Sequence, residues 1–148
     1  MDEALINNWN NVVQRDDIIY HLGDFCFKNN FNDYFKRLEG KIILIKGNHD
    51  SVAWKHRHEF YAYSDFGREI EIDGQEITLT HFAMRTWNKS HFGAFNLYGH
   101  SHSTLPDDPN SLSMDVGVDG NNFTPISFEQ VKERMSHKTF VPIDHHKP

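Results

Sequence analysis

The sequence predicts an α/β fold, because a strand, helix, strand unit is followed by a β-hairpin of alternating polarity. The unit runs from Ile18-Ile19-Tyr20-His21-Leu22, a short apolar run stopping at Gly23-Asp24, to Ile42-Ile43-Leu44-Ile45, which stops before Gly47. The hairpin pairs Glu69-Ile70-Glu71-Ile72 with Glu76-Ile77-Thr78-Leu79-Thr80 across a turn at Asp73-Gly74.

Each element has a local cause. Leu5, Ile6, Trp9, Val12 and Val13 recur at helical spacing, and Asp2 and Glu3 suit a helix N-terminus, so residues 2–14 are expected as a helix. A second helix is expected over 32–38, closed by Gly40. A crossover of this kind is right-handed with parallel strands, so both glycine-bounded ends emerge on one sheet edge and Asp24 and Asn48 become neighbours. A helix over 52–60 precedes the hairpin, whose second strand ends at His81, and the strand Phe95-Asn96-Leu97-Tyr98 ends at Gly99-His100-Ser101-His102. Residues 104–111 read as a surface loop and 112–118 as a strand, after which Ser127 caps a helix through Met135. The tail from His137, with Pro142 and Pro148, is expected to be loosely held.

The 148 residues suit a single domain, 1–148, with one core and neither repeat nor linker. No apolar run approaches the roughly 20 residues that span a bilayer, and Met1-Asp2-Glu3 lacks a secretory pattern, so the cytoplasm is the expected location. Cys26 is the lone cysteine, which excludes an internal disulfide and a thiolate metal cluster. The net charge of −6, without a basic stripe, argues against broad nucleic-acid binding. Histidine is abundant, at 11 residues, and several stand beside Asp, Asn or Gly at strand ends.

Four strand ends thus carry polar groups: Gly23-Asp24, Gly47-Asn48-His49-Asp50, Thr80-His81 and Gly99-His100-Ser101-His102. A glycine directly after a strand permits a tight turn, so the next side chain can point over the sheet edge. Singly, a Gly-Asp is usually a turn and a lone His is usually structural. Jointly they gather an Asp, an Asn and several His where one fold can bring them together. Asp50 has a bland alternative, as a cap for the helix that follows.

In this order the four pieces resemble the calcineurin-like metallophosphoesterases, over nearly the whole chain. Gly47-Asn48-His49-Asp50 and Gly99-His100-Ser101-His102 are the most specific marks, and Asn8-Trp9-Asn10 and Trp87-Asn88-Lys89-Ser90 look like a bacterial and phage subgroup. The resemblance implies a sandwich of mixed sheets flanked by helices. It implies hydrolysis of a small phosphorylated substrate, whether phosphodiester, nucleotide or phosphomonoester, by paired Mn, Fe, Zn or Ni ions and a metal-bound hydroxide. By the same likeness Asp24 bridges the ions, Asn48, His81 and His100 complete one, His102 serves the other, and His49 is the acid, oriented by Asp50.

Family members begin with a strand ending in Asp-x-His, and no such motif precedes Asp24. Either an upstream stretch carries that motif or this is a short form; for the short form the expectation is one well-formed ion site and one weak one, with a missing first strand that leaves two sheet edges open for a homodimer or partner to cover. Asp144-His145-His146 could reach back to the weak site, or be a free terminus. His21, His56, His58, His91 and His137 are assigned to packing or solvent, with His91 the nearest candidate to line the pocket; Arg85, Trp87 and Asn88 are loop or packing residues that could touch substrate. The competing readings are a degenerate member that binds one metal and a phosphorylated ligand without turnover, and a structural single-metal module.

Overall fold

Ile42, Ile43, Leu44 and Ile45 are all buried, as a strand covered on both faces requires. In the computed structural model, which describes residues 2–145, this strand is the centre of the first of two sheets. Chain order is α1 (Asp2–Val12), β1 (Ile18–His21), α2 (Phe31–Phe35), β2 (Lys41–Ile45), α3 (Ser51–Lys55) and β3 (Ala62–Ser64). β1 and β3 both pair with β2 in parallel, with Ile19 opposite Ile42 and Leu44 opposite Tyr63. The second half supplies β4 (Gly67–Ile72), β5 (Gln75–Thr80), β6 (Phe95–Tyr98), β7 (Ser113–Asp115) and α4 (Phe128–Ser136). β4 and β5 form the expected antiparallel hairpin, and β6 and β7 add in parallel, giving the order β4-β5-β6-β7.

Alternation along β2 divides the interior in two, where the sequence suggested one core. Ile43 and Ile45 face the second sheet and pack with Ile77, Leu79, Phe95 and Leu97, together with Val131 and Met135 of α4. Ile42 and Leu44 face the other way, into a cluster with Trp9, Val13, Phe31 and Phe60. α4 starts as expected, with a reciprocal capping box between Ser127 and Gln130.

α1 and α2 end at Val12 and Phe35, short of the expected 14 and 38, and three further elements differ from the sequence reading. The helix expected over 52–60 is α3 followed by a 3-10 turn, Arg57–Glu59, with the break at His56. The break swings Phe60 into an aromatic cluster with Phe25, Phe31 and Phe35, and the His56 ring stacks on Phe31 at 4.3 Å. β3 was not foreseen, since Ala62-Tyr63-Ser64 has no apolar alternation and, among the described residues, pairs along one edge only. The strand expected over 112–118 shortens to β7, because Asp115 Oδ1 accepts the Gly117 N–H and turns the chain. The segment after α4 is also tied down: Thr139 and Val141 donate their N–H groups to Pro109 and Asn110 carbonyls, and Lys138 Nζ reaches Asp107 and the Ser113 carbonyl.

β1 is bonded to β2 alone; among the described residues no strand pairs with its other edge. There a cavity of about 850 Å³ opens between the sheets, walled by Trp9, Val12, Ile18, Tyr20, Ile70 and Ile77 and ending at Asp24 and His81. No helix among the described residues is long and apolar enough to cross a membrane.

Truncating Leu44, which is fully buried, removes packing from the helix-side cluster, so Leu44→Ala is expected to cost about 2–5 kcal/mol in urea denaturation. The homodimer expected from the sequence rests on the open β1 edge, and light scattering reads it directly: a dimer mass supports it and a monomer mass removes it.

Candidate metal centre

The loops after β1 and β2 are fastened to each other by one carboxylate. Asp50, fully buried, accepts backbone N–H groups from Asp24, Phe25 and Gly47, each at 2.7 Å. Both roles expected for Asp50 are thereby corrected. It occupies the N-cap position of α3 without a side-chain cap bond, and its oxygens are taken up by loop amides, not by His49. Its neighbours are equally constrained: a Cβ on Gly23, whose φ is +100°, would stand 2.5 Å from His81 Nδ1 and 2.6 Å from the Gly47 backbone. Only glycine lets the loops close this tightly.

On this platform four electron-pair donors converge. His81, 3% exposed, donates Nδ1–H to the Leu22 carbonyl at 2.6 Å, which fixes the tautomer and leaves the Nε2 lone pair pointing into the site. Around Nε2 stand Asn48 Oδ1 at 2.8 Å, His100 Nδ1 at 3.2 Å and an Asp24 carboxylate oxygen at 3.4 Å. A proton on Nε2 could satisfy one of these acceptors at a time, whereas a divalent cation satisfies all of them together. Asp24, His81 and His100 accordingly form a group able to hold an ion. Asp24, His100 and His102 also take left-handed backbone conformations, with φ of 58°, 54° and 48°, which non-glycine residues adopt at a cost.

The remaining nominated residues surround this group. The His49 N–H donates to Asp24 Oδ1 at 2.9 Å, and its imidazole is exposed beside the Phe27 ring. His102 lies on the cavity wall but outside the cluster; Asp119 holds its Nδ1 at 2.7 Å, leaving Nε2 free. Phe82 packs on both His81 and His100. Asp119, Phe27 and Phe82 were missed from the sequence; in Gly23-Asp24-Phe25-Cys26-Phe27 and His81-Phe82 only adjacency to a ligand hinted at the aromatics.

Other histidines lie outside this group. His21 lies between Trp9 and Phe25, and desolvation pushes its imidazole pKa down despite the nearby Asp50 and Asp24 charges. His91 is absent from the cavity wall, contrary to expectation, and stacks on His145 at 3.8 Å; with Asp144 these form a second group, separate from the group of Asp24, His81 and His100. His146 lies outside the described residues. Trp87 donates its indole N–H to the Ala94 carbonyl, a packing role. Burial pushes the Cys26 thiol up and Asp50 adds to the effect, which disfavours a thiolate nucleophile.

Residues 2–140 match the family model described as the calcineurin-like phosphoesterase superfamily domain. The chain belongs to this superfamily. An uncharacterised protein of Methanocaldococcus jannaschii is 31% identical over 140 residues, covering 88% of this chain and 73% of that one. Among solved structures, a protein of unknown function from Aquifex aeolicus is similar with a TM-score of 0.73 and 26% identity, over 90% of this chain and 84% of the other. A structure described as a novel archaeal phosphodiesterase is similar with a TM-score of 0.51 and 21% identity, over 78% and 74% respectively, a likeness of fold. Superfamily membership makes phosphoester hydrolysis with divalent metal the activity class, and Asp24, His81 and His100 the candidate ligands.

Removing the Asp50 carboxylate strands three buried amides, so Asp50→Ala is expected to cost about 3–5 kcal/mol in denaturant melts. Asp50→Asn, which keeps one acceptor oxygen, should fall between the two; equal stability of all three proteins would contradict the fastening role.

Proposed function

We propose that the chain hydrolyses a phosphate ester, with Asp24, Asn48, His81 and His100 holding one divalent cation and Asp24 with His102 holding a second more weakly. The observation that carries this reading is the gathering of three further lone-pair donors around a His81 Nε2 whose partner nitrogen is already committed. Bound cations of the Mn, Fe, Zn or Ni type would polarise the phosphoryl oxygens and lower the pKa of water. The protein's own share is positional. Leu22 fixes the His81 tautomer, Asp50 holds the Asp24 and Gly47 backbones, and Asp119 turns His102 so that its free nitrogen faces outward from their pair.

His49 suits general acid work: its backbone is pinned to Asp24 while its exposed imidazole can meet a leaving oxygen. The substrate is a small phosphorylated molecule, with phosphodiesters and nucleotides ahead of simple monoesters. A second reading, one cation and a phosphorylated ligand bound without turnover, is favoured by the position of His102 outside the cluster of Asp24, His81 and His100.

Incubation with Mn and bis-p-nitrophenyl phosphate decides between them. His49→Ala is expected to slow kcat by about 10²–10⁴-fold with metal binding retained, and Asp24→Ala to lose both turnover and the ion. Tight binding of one ion per chain with no turnover under any divalent metal would leave the binding reading.

A further inference from the structure

Phe27 is unusual among the apolar side chains. It is 65% exposed, lines the same cavity as Asp24, His81 and His100, and its ring centroid lies 5.3 Å from that of His49 at an interplanar angle of 49°. A phenylalanine held this far out of the core contributes little to folding. The other exposed ring nearby, Phe82, is placed differently: it packs on the ligand imidazoles, 4.9 Å from His81 and 4.5 Å from His100.

The two rings thus accompany different groups: Phe82 the imidazoles of the donor cluster, and Phe27 the imidazole assigned above to general acid work. The cluster of donors takes the phosphoryl group and the attacking oxygen, while the acid serves the departing oxygen. A group attached to an oxygen that His49 protonates lies near His49, and the exposed ring beside His49 is Phe27. An aromatic side chain open to solvent offers stacking to planar groups, worth about tenfold or more in affinity per ring, and offers a flexible aliphatic chain much less.

Resting on the hydrolytic site described above, we infer that Phe27 is a stacking platform for the leaving group, so that this site prefers phosphoesters carrying a planar aromatic group, a nucleobase or an aryl ring, at or within one sugar of the ester oxygen.

Calorimetry on the Mn-loaded chain with adenosine monophosphate, phenyl phosphate and ribose 5-phosphate tests this without any need for turnover. The expected result is at least about tenfold tighter binding of one or both aromatic phosphates than of ribose 5-phosphate. Phe27→Leu should remove most of that advantage and Phe27→Trp keep it, with ribose 5-phosphate bound equally by all three proteins. An advantage confined to adenosine monophosphate assigns the platform to a nucleobase, and one confined to phenyl phosphate to an aryl ring. Equal affinity for the three ligands, binding of none, an advantage that survives Phe27→Leu, or one lost only in Phe82→Leu overturns the inference. Failure of the hydrolytic reading is seen separately, as absent turnover of bis-p-nitrophenyl phosphate.

Discussion

The buried carboxylate of Asp50 is the interaction on which the rest of the site depends. Two parallel strands bring their C-terminal ends to one sheet edge, but strand geometry alone leaves the following loops free to splay. Three amide N–H groups from both loops close on Asp50, and this draws Asp24 and Gly47 together. No cation neutralises Asp50 through a salt bridge among the described residues, so the amide dipoles supply its compensation. The glycines are required by the same closeness, since a methyl group at position 23 or 47 would occupy space already held by His81 and Asp24.

From this platform the electrostatics follow. Leu22 takes the proton-bearing nitrogen of His81, so electron-rich atoms of Asn48, Asp24 and His100 face another electron-rich nitrogen across 2.8–3.4 Å. A cation shared by such a set would draw its lone pairs together, and the two glycine-bounded loops and the cores beneath them hold the donors in place for it. β2 transmits that rigidity, because its alternate side chains are locked into different clusters on its two faces.

How much of this was legible in the sequence depended on whether the signal was local. Gly23, Gly47 and Gly99 each follow an apolar run, a short-range pattern, and the strand ends and most of the nominated ligands were found from it. β3 escaped because its three residues owe their strand state to the edge of β2 rather than to their own alternation. The task of Asp50 was misread for a related reason: its partners Asp24 and Phe25 are 26 and 25 residues away, and nothing in Asn48-His49-Asp50 distinguishes a loop fastener from a helix cap. The pairing of His102 with Asp119, and of His91 with His145, likewise depends on tertiary packing.

The central claim is that Asp24, Asn48, His81 and His100 share one cation. Anomalous diffraction from crystals soaked in Mn tests it most directly. The account predicts a single strong peak within about 2.0–2.4 Å of one atom from each of these four side chains; a peak elsewhere, or none at saturating metal, would contradict it.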